Sequence, residues 1–303
     1  MNKPLFLAAL AASVSTFVFC AEDSMTGQWF LDFPENSKSE IHFGIHQDHS
    51  QSSFSAPASS FRGLSPSATR FEFVRDAGTF QCEGIFRGRH GAGTFVFQPD
   101  AGYLRDMNAR GYRITASDQM HLALLDISRE FIRDIESAGY AKLSLEDLKR
   151  FRIHGVSGPW IREFQGLGYR SLDAEDLVRF RIHGVSPEFT REFKQAGYSN
   201  PSPEELVKMR IHGVSIEFVR SLGGFGYRQV PVEDLVKLRI HGVSPEYVRD
   251  MKALGYERIP IEELIRMRIH GVSPDTVRRV QAAGFKHPST DELVRMRIHG
   301  LVN

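Results

Sequence analysis

Hydrophobic and polar residues alternate in short stretches of the N-terminal third: Trp29, Leu31 and Phe33; Ile41, Phe43 and Ile45; Phe71 and Phe73; Phe80 and Cys82; Phe95 and Phe97. A period of two sends successive side chains to opposite faces of a strand, so each stretch predicts a half-buried strand with an aromatic inner side. Gly78-Thr79-Phe80 and Gly93-Thr94-Phe95 open two of these strands, and Arg87-Gly88-Arg89-His90-Gly91 between them carries the glycines of a hairpin turn. The expectation for residues 22–100 is a small antiparallel β module, a sheet or sandwich of about five or six strands. Its flexible loop is expected at Ser50–Ser67, which is rich in serine and holds two prolines.

From residue 101 onward the period changes. The triplet Ile-His-Gly recurs six times at a constant spacing of 29, starting at Ile153, Ile182, Ile211, Ile240, Ile269 and Ile298. So strict a register is the signature of stacked units that bury a shared core. Ser186-Pro187-Glu188 supplies an N-cap, a proline at the first helical position and an acid at the positive helix end. Phe189, Phe193 and Ala196 follow at helical spacing, and Gly197 stands where a left-handed residue ends the helix. Ser202-Pro203-Glu204-Glu205 repeats the start signal, Leu206, Val207, Met209 and Ile211 supply an apolar side, and Gly213 ends the second helix. Tyr103–Tyr112 matches Tyr247–Tyr256 at seven of ten positions, so the array begins before the first Ile-His-Gly. The predicted fold class is α+β, a β module followed by an α-solenoid of 29-residue helix pairs over 101–303.

Composition narrows the partners. Lys and Arg total 38 against 37 Asp and Glu, so no strong field draws nucleic acid or anionic lipid. Met1–Ala21 carries Lys3, an apolar run and Val18-Phe19-Cys20-Ala21 before Glu22, which reads as a signal peptide and places the mature chain in the periplasm or outside the cell, with no membrane span after cleavage. Only Cys82 then remains, on the face of Phe80, so the expectation is a buried apolar thiol in a fold without disulfides.

Three groups of residues invite chemistry. His154, His183, His212, His241, His270 and His299 form a ladder, but equivalent atoms in stacked helices lie about 8–10 Å apart, too far for two imidazoles to share one metal. Each sits in a last helical turn, where an imidazole can meet free carbonyls and the helix dipole. Arg152, Arg181, Arg210, Arg239, Arg268 and Arg297 lack an acid four residues earlier, whereas the basic residue two before each has one at Glu146, Glu175, Glu204, Glu233, Glu262 or Asp291. That arginine row is the candidate binding surface, set against salt bridging between units. His42, His46 and His49 with Asp48 are the one dense candidate metal-ligand cluster, and chelation there needs a turn near Gly44. No motif of nucleophilic, zinc-peptidase or phosphate-loop catalysis is present, and no cofactor is called for.

Arg239–Tyr256, with Arg-Ile-His-Gly-Val-Ser-Pro-Glu and then Leu-Gly-Tyr, resembles the extracytoplasmic repeats of bacterial antirepressor metallopeptidases of the beta-lactam-sensing type. Phe71–Phe80 and Gly93-Thr94-Phe95 are similar to the strand module that accompanies them. The membrane-embedded H-E-x-x-H peptidase of that family has no counterpart here, nor does a serine with the lysine needed for acylation. The resemblance therefore implies an exported sensing or binding module for an envelope protein, peptide or cell-wall fragment. The alternative is a metal- or pH-responsive envelope protein using its histidines.

Overall fold

The computed structural model describes residues 25–34, 40–47 and 50–302. The predicted leader Met1–Ala21, with Asp48 and His49, lies outside the described residues. The chain is α+β and divides into two compact units, Met1–Arg129 and Glu130–Asn303.

In the first unit β1 (Met25–Asp32), β2 (Glu40–Gln47), β3 (Ser50–Pro57), β4 (Phe61–Arg62), β5 (Arg70–Arg75), β6 (Gly78–Arg87) and β7 (His90–Pro99) form one sheet in the order β3-β2-β1-β7-β6-β5-β4. Every neighbouring pair is antiparallel. The predicted alternation sets the register: Leu31 faces Phe43, Phe73 faces Phe80 and Cys82 faces Phe95. These side chains all lie in the core. Although β2 and β5 stand far apart in strand order, the Phe43 and Phe73 ring centroids are 4.9 Å apart, so the sheet curls around its aromatic face. The turn between β6 and β7 falls at Gly88 and Arg89, with Gly88 at φ +60°, as the sequence predicts.

Ser50–Ser67 departs from the expected loop. β3 and β4 occupy most of it, which brings the sheet to seven strands. Ala56 and Phe61 are buried and Phe54 packs on Phe43, while most of the serines face out. Pairing with β2 along its whole length supplies the order that composition conceals. Cys82 is 3% exposed, and burial raises its thiol pKa, which keeps it in the inert neutral form.

Two helices complete this unit, α1 (Ala101–Ala109) and α2 (Ala116–Leu124). The buried Gln119 of α2 donates to the carbonyls of Ala77 at 2.7 Å and Asp100 at 2.8 Å, which fastens the helix to the sheet. Arg129 gathers the carboxylates of Asp76, Asp100 and Asp106 at 2.7, 2.5 and 2.8 Å. Where later units have the glycine of Ile-His-Gly, α2 is followed by Asp126, which takes the left-handed conformation at φ +54° and pairs with Arg75 at 3.4 Å.

The remaining helices are α3 (Arg129–Ser137), α4 (Leu145–His154), α5 (Gly158–Gly166), α6 (Ala174–His183), α7 (Pro187–Gln195), α8 (Pro203–Ile211), α9 (Ile216–Gly224), α10 (Val232–Ile240), α11 (Pro245–Ala253), α12 (Ile261–Ile269), α13 (Pro274–Ala282) and α14 (Thr290–Ile298). The punctuation read in one unit operates as predicted. Ser186 accepts from the Phe189 N–H, Ser202 and Glu205 form a capping box, and Gly197 and Gly213 have φ of +95° and +66°. Helices of nine or ten residues are too short to persist alone, and burial against neighbours supplies the missing stability. The even-numbered helices pack in series, α4 on α6, α6 on α8, α8 on α10, α10 on α12 and α12 on α14.

Candidate binding surface on the second helices

The second helix of each pair ends in Arg-Ile-His-Gly, and its four residues have four different environments. Leu206, Val207 and Met209 turn inward in α8, as do Leu235, Val236 and Leu238 in α10. The isoleucine after them does not. Ile153, Ile182, Ile211, Ile240, Ile269 and Ile298 are 54–62% exposed, although the sequence pattern assigned Ile211 to the apolar side. Each glycine ends its helix in the left-handed conformation, with φ between +66° and +71°.

The arginine before each isoleucine folds back over an aromatic ring 21 residues earlier. Arg152 lies over Phe131, Arg181 over Trp160, Arg210 over Phe189, Arg239 over Phe218 and Arg268 over Tyr247, with 4.2–5.5 Å from guanidinium carbon to ring centroid. Arg297 finds a threonine at the equivalent place, and its Nη1 donates instead to the Val302 carbonyl at 2.9 Å. The same guanidinium groups reach the end of the preceding second helix. Arg210, Arg239, Arg268 and Arg297 stand beside Gly184, Gly213, Gly242 and Gly271, so close that a Cβ there would lie 3.0–3.4 Å from a guanidinium nitrogen. Arg239 Nε also donates to the His212 carbonyl at 3.4 Å. A cation at the negative end of a helix is favourable, so Arg210, Arg239 and Arg268 each both cover a ring and stand at the end of the neighbouring helix.

That arrangement changes the expected part of the histidines. His154, His183, His212, His241 and His270 are half-buried and His299 is exposed. Among the described residues none of the six imidazoles hydrogen-bonds to a helix-end carbonyl; at the end of α8 the longer Arg239 of the next unit reaches that position. The acids also pair differently from the expected four-residue spacing. Lys208–Glu204 and Arg295–Asp291 follow it, while Arg179, Lys237 and Arg266 use the acid three residues before at Asp176, Asp234 and Glu263. Arg150, Lys208 and Arg266 further reach Glu175, Glu233 and Asp291 of the next second helix, at 2.6, 3.9 and 3.1 Å. The first basic residue of each pair is thus engaged with carboxylates and the second with rings and helix ends.

His42 and His46 lie on the exposed face of β2, which stays extended through Gly44, itself paired with Phe30 and Ser53. Four residues of strand separate the two by about 13 Å, and His42 is held by Ser55 at 2.9 Å. The turn that would bring these imidazoles together is absent from the described strand.

A tyrosine ladder joins the pairs from another side. The hydroxyls of Tyr140, Tyr169, Tyr198, Tyr227 and Tyr256 donate to the carbonyls of Leu172, Pro201, Val230, Ile259 and Pro288, each 32 residues ahead, at 2.6–2.8 Å. Burial is the main cause that raises the pKa of seven of the eight tyrosines, pushing Tyr169 and Tyr247 up to about 12 from the ordinary 10.0. A raised folded-state pKa contributes stability that is fully present below pH about 10, the unfolded value, and is lost as pH rises through the folded value near 12. Thermal melts between pH 9 and 12 should fall steeply, with phenolate absorbance rising together with unfolding. Phenolate absorbance of several tyrosines per chain appearing at pH 10 while the chain stays helical would contradict the ladder.

No family model matches this sequence, and comparison with the curated proteins returns no match.

Proposed function

We propose that this protein is an exported, non-catalytic scaffold, periplasmic or secreted, that recognises an envelope protein, peptide or cell-wall fragment along the second helices of an α-solenoid. The observation that carries the reading is the repeated exposure of one large apolar side chain. Six isoleucines at equivalent positions remain 54–62% exposed. Recurring exposed apolar side chains of this kind mark interaction surfaces, whereas scattered single ones mean little. If the units stack in regular series, the isoleucines form a line suited to an extended partner with recurring apolar side chains. The resemblance to repeats of antirepressor ectodomains supports the same reading.

The test is the triple substitution Ile211→Glu, Ile240→Glu and Ile269→Glu. Because all three side chains are exposed, folding stability should change by no more than about 0.5 kcal/mol per site. Retention of the partner from a native envelope extract should be lost. A folded triple variant that retains the same partner as the parent chain would remove the isoleucines from the binding surface.

A further inference from the structure

At one position on the first helices, three units carry the same bridge. Gln165 donates to the Ala138 carbonyl at 2.8 Å, Lys194 to Leu167 at 2.5 Å and Gln281 to Leu254 at 3.2 Å. Each of these side chains reaches back 27 residues to the end of the preceding first helix and closes the space between the two. The equivalent residue of α9 is Gly223, followed by Gly224. A Cβ on either glycine would meet nothing within 4 Å. Two glycines in a last helical turn weaken the helix and here gain no packing in return, a local inconsistency of the kind found at functional sites.

In the space left open lies a cavity of about 390 Å³, lined by Tyr198, Val219, Arg220, Tyr227, Arg228 and Gln229 among others. No acidic residue lines it. Arg220 has Glu217 within one turn of α9, whereas Arg228 makes no ion pair among the described residues. Gln229 holds a left-handed backbone at φ +53°, and its amide spans to the Ala196 carbonyl at 3.4 Å, a long substitute for the missing side chain of α9. The cavity thus combines two tyrosines and a valine with a basic, hydrogen-bonding rim.

We propose that this cavity is a binding site for a small carboxylate carried on an apolar or aromatic body, of about the size of one N-acylated amino acid. The guanidinium groups of Arg228 and Arg220 receive the carboxylate, and the tyrosine and valine side chains accept the apolar body. The site rests on no property of the isoleucine row.

The test titrates the full chain with N-acetylphenylalanine and with its carboxamide, following the backbone amide resonances of Gly223, Gly224 and Gly226. Saturable binding is expected in those resonances, weakened about tenfold or more by the carboxamide, by Gly223→Gln or by Arg228→Gln. Gly223→Gln restores the neutral side chain that α5 and α13 carry at this position, and should melt no lower than the parent because its Cβ enters open space. Arg228 is exposed, so its substitution offers an independent variant that keeps the fold. The proposal is overturned if the parent chain shows no saturation up to roughly 10 mM. It is equally overturned if Gly223→Gln or Arg228→Gln binds as tightly as the parent, or if the carboxamide matches the acid.

Discussion

Alanine at Gly93 is expected to destabilise the sheet by about 3 kcal/mol or more, at or beyond the upper end of overpacking effects. Gly93 on β7 stands opposite Gly84 on β6 and opposite Trp29 on β1. A Cβ at Gly93 would lie 2.0 Å from the Glu83 carbonyl oxygen, the same oxygen that accepts from the Trp29 indole at 3.2 Å. Backbone cannot move aside as a side-chain tip can, so three paired strands would have to shift together. Denaturant unfolding followed by Trp29 fluorescence, in a background with Trp160→Phe, gives the measurement. A loss below about 1 kcal/mol would show that the strands do not approach as closely as described.

The second large effect is expected from the combined substitution of Arg210, Arg239 and Arg268 by Gln. Each change removes a cation from an aromatic face, worth about 0.5–1 kcal/mol at an exposed site. Each also removes a positive group from a helix C-terminus, worth about 0.3–1 kcal/mol. Three sites together should cost about 3 kcal/mol, or a fall of roughly 6–12 °C in Tm for a unit of this size. Retention of a partner through the isoleucines should survive below the new transition. If Tm stays unchanged while retention disappears, the arginines serve the partner and their stacking is incidental.

Different parts of the fold were legible for different reasons. Phe71, Phe73, Phe80, Phe95 and Phe97 alternate so regularly that strands, inner face and hairpin turn follow from the sequence. β3 was hidden because its outward positions are serines, and only Phe54 and Ala56 carry the apolar alternation. Helix boundaries were legible through serine, proline and glycine, whose preferences act locally. Ile211 faces solvent although its place in the apolar run assigns it inward. Stepping about 100° per residue along α8, Arg210 falls between Leu206 and Val207, while Ile211 lies outside the arc that those residues define with Met209. That geometry could have assigned the arginine to the packed side and the isoleucine to solvent. The partner of each guanidinium, a ring 21 residues earlier, depends on how units stack and is not a local property. Gly223 becomes visible only when units are aligned and the side chain it replaces is known to close a space between helices.

Photo-crosslinking from the isoleucine row tests the central claim most directly. A photoreactive benzoylphenylalanine replacing Ile240, in chain exported to its native envelope, should yield a discrete adduct with a partner. The same group replacing Glu217, which is exposed on a first helix, should not. Adding Ile211→Glu and Ile269→Glu should suppress the adduct without lowering the yield of folded protein. An adduct formed from position 217 but not from position 240, or one from 240 that persists unchanged beside the two glutamates, would contradict recognition along this row.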